Sequence, residues 1–90
     1  MKIKKGFVLR EVCGEQVIMG EGLGAINFGK LLVLNETAAW LWKLAQHLEV
    51  FTSGQLMEKL CETYDVSQEE ARQDVGDILS EWQNAGLIEE

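Results

Sequence analysis

Apart from its carboxylates, this 90-residue chain has few groups able to do chemistry: one histidine, two cysteines, and fifteen Asp or Glu set against eight Lys or Arg. General acid–base work needs a histidine or carboxylate of tuned pKa beside a partner, and nucleophilic catalysis needs a hydroxyl, thiol or amine beside a base. His47 has no such partner identifiable in the sequence and falls where a helix ends, a place that favours a cation at the negative end of the dipole. Cys13 and Cys61 form no CxxC pair and, with a single histidine, leave a zinc site short of ligands. Both are read as reduced, mostly buried thiols that fill space as small hydrophobes. The string Gly20-Glu21-Gly22-Leu23-Gly24 has the glycine spacing of a phosphate loop but neither the GK[ST] ending nor the strand-to-helix setting. It reads as a mobile connection. The carboxylates fall mainly at solvent-facing helical positions, so no catalytic pair stands out. The chain is read as no enzyme, with neither a metal nor a cofactor.

The distribution of charge says more than the net −7. Residues 1–30 hold five Lys or Arg and three Asp or Glu, whereas residues 31–90 hold three and twelve. Phosphate contacts dominate nucleic-acid affinity and need Lys or Arg at the interface. Ser67 to Glu90 carries Glu69, Glu70, Asp74, Asp77, Glu81, Glu89 and Glu90 against the single Arg72, a stretch that repels a polyanion. No apolar run reaches the length of a membrane span, and the lysine-rich start is not followed by the apolar core of a signal peptide. A soluble cytoplasmic protein is expected, one domain over residues 1–90 with a single core.

The elements that must position any site are strands first and helices after. Phe7-Val8-Leu9-Arg10-Glu11-Val12 and Gln16-Val17-Ile18-Met19 flank Cys13-Gly14-Glu15, where glycine supplies the positive φ of a tight hairpin. Leu31-Leu32-Val33-Leu34 is a continuous apolar run of strand length. It does not alternate, so both faces avoid water, one on the core and the other against something else. Three helices follow. Asn35 caps the first, from Glu36 to about His47, with Ala38, Leu41, Trp42 and Ala45 at helical spacing. Thr52-Ser53-Gly54-Gln55 and Ser67-Gln68-Glu69-Glu70 fit the S/T-x-x-E/Q capping box of two more. The third runs to about Ala85, where Gly86 stops it and Leu87-Ile88 returns to the core. The short connection between the last two helices is that of a helix-turn-helix pair. The fold class is α+β: a winged-helix-like domain with an N-terminal three-stranded sheet followed by three helices.

On the third helix Ala71, Val75, Ile78, Leu79 and Trp82 form an arc of about 100°, the width of a core-facing stripe. Glu70, Asp74, Asp77 and Glu81 flank one side; Arg72, Gly76, Ser80 and Gln83 flank the other. One flank and the third strand can wall a groove in which a further strand adds to the sheet edge through its backbone groups. Trp40 and Trp42 lie about 200° apart on the first helix. Trp42 continues the apolar stripe into the core, and Trp40 is left partly exposed.

Taken in order, Leu34-Asn35-Glu36-Thr37-Ala38, Leu41-Trp42, Leu56, Leu60, Tyr64-Asp65-Val66, Asp74-Val75, Leu79 and Gly86-Leu87-Ile88 resemble the PqqD family, the small peptide-chaperone domains also called RiPP recognition elements. The resemblance spans essentially the whole chain. It implies a non-catalytic domain that binds the leader segment of a ribosomally made precursor peptide as a strand added to the third strand and laid against the third helix. It further implies presentation of that peptide to a modifying enzyme such as a radical S-adenosylmethionine protein. Carried over, the peptide-binding residues are Leu31, Leu32, Val33, Leu34, Arg72, Asp74, Val75 and Ile78. A monomer or weak dimer is expected, since an open sheet edge can pair with a second copy. The competing expectation, from topology alone, is a divergent winged-helix DNA-binding or transcriptional regulatory protein.

Overall fold

A computed structural model describes residues 1–20 and 32–89. Of the expected glycine-rich connection only Gly20 is among them, and Leu31 lies outside. The chain forms β1 (Lys2–Ile3), β2 (Phe7–Val12), β3 (Glu15–Gly20), β4 (Leu32–Leu34), α1 (Glu36–Leu48), α2 (Ser53–Thr63), α3 (Gln68–Asn84) and β5 (Ile88–Glu89). Strands β2, β3 and β4 make the expected three-stranded antiparallel sheet in the order β2-β3-β4. A second, two-stranded sheet of β1 and β5 was not anticipated. Two residues are too few to show a period, so only the return of Leu87 and Ile88 hinted at it.

The hairpin is tighter than its sequence advertised. Val12 pairs with Glu15, so Cys13 and Gly14 alone make the turn. Their φ angles of 52° and 83° are both positive, which is the two-residue turn whose twist matches the flanking strands. Cys13 is therefore exposed at a hairpin tip, and Cys61 is half-buried. The expectation that both thiols are mostly buried is corrected: turn geometry carries Cys13 outward, and Cys61 lies at the edge of the α2 stripe.

The three expected N-caps form, though the capping box expected at α3 is only half made. The Ala38 N–H donates to Asn35 Oδ1 at 2.8 Å. At α2 the Gln55 N–H donates to Thr52 Oγ1 at 3.1 Å and the Thr52 N–H donates back to Gln55 Oε1 at 2.8 Å, a full capping box. At α3 the Glu70 N–H donates to Ser67 Oγ at 3.1 Å, while the Ser67 hydroxyl donates to Glu70 Oε1 at 3.2 Å. Helix α3 ends with Gly86 at φ 76°. There the Leu87 N–H donates to Trp82 O at 2.9 Å and the Gly86 N–H to Gln83 O at 3.1 Å, the paired bonds of a Schellman stop. This stop turns Leu87 and Ile88 inward, and Ile88 then pairs with Ile3.

One apolar core unites the elements. Trp42 and Trp82 are fully buried and meet edge to face, ring centres 5.1 Å apart. Around them pack Ile18, Leu34, Leu41, Phe51, Leu56, Leu60, Val75 and Leu87. The Trp42 indole N–H has no hydrogen-bond partner among the described residues, so its place in the core rests on ring volume against a desolvation cost of about 1–3 kcal/mol. Trp40 is half-exposed as anticipated and stands edge-on to Tyr64, centres 5.4 Å apart.

Candidate functional site

Strand β4 is short because Asn35 ends it by capping α1, and its neighbours are fixed by register: Leu32 opposite Ile18, Val33 opposite Val17, Leu34 opposite Gln16. In that register Leu34 points into the core, 6% exposed, while Val33 on the other face is 55% exposed. Sequence alone had both faces shielded from water; in the structure Val33 is exposed, although Val17 opposite it on the same face is buried. Strand β3 occupies one edge of β4, and among the described residues no strand pairs with the other. That free edge keeps backbone N–H and C=O groups available for a further strand.

A cleft of about 700 Å³ is lined on the sheet side by Val33, Leu34 and the start of α1, and on the other side by Ile78, Glu81 and Trp82 of α3. Gly14, Glu15 and Gln16 of the hairpin close one end. Trp82 is held in the core, so α3 is anchored through the residue that forms the floor, and Ile78, four residues before it, sits half-buried at the rim. A cleft of about 600 Å³ between α2 and the start of α3, and one of about 360 Å³ near β1, adjoin no free edge of the three-stranded sheet.

Of the residues carried over from the resemblance, Val33, Leu34 and Ile78 line this cleft together. Leu32 is half-buried in the same strand, and Val75 is buried one turn before Ile78. Asp74 is exposed on the Ile78 side of α3, one turn toward the N-terminus, whereas Arg72 is exposed about 120° around the helix from Ile78. Neither Asp74 nor Arg72 lines the cleft. The flank that does reach it is the acidic one, through Glu81.

Among the described residues no group of His, Cys, Asp and Glu is arranged to hold a metal ion. His47 is exposed in the last turn of α1. No described helix is long and apolar enough to cross a membrane. What this arrangement can do chemically is bind: it offers a backbone edge, an apolar wall and a rim of carboxylates.

The family model for Coenzyme PQQ synthesis protein D (PqqD) matches residues 15–88. The chain belongs to the PqqD family. The match begins at the first residue of β3 and runs through Ile88 of β5, so it takes in β4, the cleft and all three helices. Two solved structures share the fold. One is described as TbiB1 in complex with the TbiA(beta) leader peptide, 20% identical, with a TM-score of 0.78 over 99% of this chain and 95% of that one. The other is lasso peptide synthetase B1 complexed with the leader peptide, 14% identical, with a TM-score of 0.73 over 96% and 93%. No curated protein matches the sequence.

In this PqqD-family chain the lining residues that sequence reasoning missed are those of the hairpin end, Gly14, Glu15 and Gln16, with Glu36 and Ala38 of α1. The hairpin residues reach the cleft because Gln16 pairs with Leu34, a long-range register that no local pattern encodes, and Glu36 and Ala38 because α1 starts directly after β4. Asn35 was legible as a cap, and its position at the cleft follows from that role.

Proposed function

We propose that the chain is a non-catalytic adaptor that binds the leader segment of a ribosomally made precursor peptide and presents it to a modifying enzyme. The leader adds as a strand to the free edge of β4 and lies against α3. The observation that carries this reading is a β4 edge unpaired among the described residues, in the strand whose Val33 and Leu34 line a cleft together with Ile78 of α3, in a chain of the PqqD family. The leader peptides named with the two structural neighbours support it, since both proteins share this fold.

Magnitudes explain why the edge requires the wall. Pairing along a three-residue strand adds on the order of two or three main-chain hydrogen bonds, each with a net worth of about 1 kcal/mol. Association costs roughly 4 kcal/mol or more in lost freedom, which edge pairing alone does not offset. Apolar burial supplies the difference, at about 25 cal/mol for each Å² removed from water. Alternate side chains of an added strand face opposite ways, so one set meets Ile78 and the rim of α3 while the other lies beside the exposed Val33. The proposed binding residues are Leu31, Leu32, Val33, Leu34, Val75 and Ile78, with Asp74 and Arg72 at the periphery. The partner enzyme fitting this role is a radical S-adenosylmethionine protein, acting in the cytoplasm where precursor peptides are synthesised.

The test is capture from native extract on the tagged protein, with small polypeptides retained for mass spectrometry. Recovery of a short ribosomal polypeptide that binds the purified wild-type chain, and binds Val33→Pro poorly, supports the reading. A captured peptide that binds the folded Val33→Pro chain equally well counts against edge addition.

A further inference from the structure

The cleft is not neutral. Glu15 closes the hairpin end, Glu36 opens α1 and Glu81 projects from α3, so all three parts of the wall bring a carboxylate to one cavity. All three residues are exposed. Among the described residues no Lys or Arg lines the cleft. The ion pairs of Lys2 with Glu89 and of Lys59 with Glu62 lie elsewhere. Asp77, also on the acidic flank of α3, is engaged by the Gln73 amide, which donates to its two oxygens at 3.0 and 3.1 Å. The N-terminal dipole of α1 offsets part of the Glu36 charge, while Glu15 and Glu81 lie outside any helix N-terminus.

The register locates the charge along the strand. Glu15 and Gln16 lie opposite the end of β4, and Glu36 follows Asn35 directly, so Glu15 and Glu36 sit where β4 passes into α1. The face of β4 away from the core instead carries the apolar Val33. A strand laid along the other edge of β4 therefore meets an apolar stretch over Leu32 and Val33 and, past Leu34, Glu36 with Glu81 of α3 in the same cleft, while Glu15 stands across β4 on its β3 side.

Resting on the strand-addition reading above, we infer that this cleft selects a basic segment: an extended peptide with an apolar residue opposite Val33 and Lys or Arg opposite the stretch from Leu34 to Glu36. An acidic residue at those positions faces like charge on both sides of the cleft and is rejected, because like-charge placement discriminates between partners as strongly as attraction does. The selected cation does not need burial. It gains from several carboxylates at once, and the gain falls with salt, since exposed charges beyond about 10 Å are screened at 0.1 M ionic strength.

The experiment is a selection from a naive library of displayed linear peptides against the full chain, in parallel with Glu15→Gln/Glu36→Gln/Glu81→Gln and with Val33→Pro. The expected result is enrichment on the wild type of peptides with Lys or Arg a few residues from an aliphatic residue. These should bind the triple variant about three- to tenfold more weakly at low salt, a difference built from exposed charge pairs that is lost at high salt. Enriched peptides without basic residues that still need an intact β4 edge would overturn the charge selection and leave strand addition standing. Enriched peptides that bind folded Val33→Pro as well as wild type would overturn both.

Discussion

Cys13 is a non-glycine residue at φ 52° in a two-residue turn that favours Asn followed by Gly. Cys13→Asn keeps Gly14 and supplies a side chain that tolerates the left-handed region, so it should stabilise the chain by roughly 0.5 kcal/mol. A higher urea midpoint with an unchanged slope checks this; a lower midpoint would mean that the thiol makes contacts which outweigh backbone preference. Asn35 has two duties, capping α1 and lining the cleft. Thr52 caps α2 far along the chain and lines none of the three clefts described. Asn35→Ala and Thr52→Ala should each cost about 1 kcal/mol of stability. Only Asn35→Ala should also weaken peptide binding, which calorimetric titration of the two variants with the same captured peptide distinguishes.

Among the elements, recognition is proposed to fall to one strand edge and one helix face. Proline at Val33 removes a backbone donor and strains the strand, so binding should fall about tenfold or more, equivalent to about 1.4 kcal/mol. Ile78→Ala tests the wall without touching the strand. Because Ile78 is half-buried at the rim, the variant should weaken binding several-fold, for a loss of about 1 kcal/mol of apolar contact, and leave α3 folded. Near-ultraviolet circular dichroism of the Trp42–Trp82 pair reports whether either variant keeps its core. The caps at Asn35, Thr52 and Ser67, the stop at Gly86 and the apolar run of β4 were legible because each is a local signal of a few residues. The β1–β5 pair, the two-residue turn that exposes Cys13, and the hairpin's place at the end of the cleft were not. The first and the last depend on which distant segments pair, as Lys2 does with Glu89 at the other end of the chain; the turn depends on the β2–β3 register, which a one-residue slip shifts without any change in the local pattern. Arg72 shows a limit of a different kind: its neighbours in sequence are site candidates, yet helical phase carries it around the cylinder away from Ile78.

At the scale of the whole molecule, the helix-turn-helix of α2 and α3 shares its outline with nucleic-acid readers but carries the wrong charge for one. The exposed surface of α3 includes Glu69, Glu70, Asp74, Asp77 and Glu81, in a chain of formal net charge −7. Gel-shift titration with duplex DNA at low salt should show no binding, because that condition gives phosphate contacts their greatest strength. A shifted band that fades with added salt would restore the DNA-binding reading. Among the described residues β4 is paired on one side alone, with α1 beginning directly after it and α3 held through Trp82. The most direct measurement is residue-resolved amide hydrogen exchange of the chain with and without the captured peptide. Strand addition should slow exchange in β4, at Leu32 to Leu34, with resonance shifts at Ile78 and Glu81. Unchanged β4 amides, with protection appearing instead around Met57 and Cys61 in the cleft between α2 and α3, would contradict it.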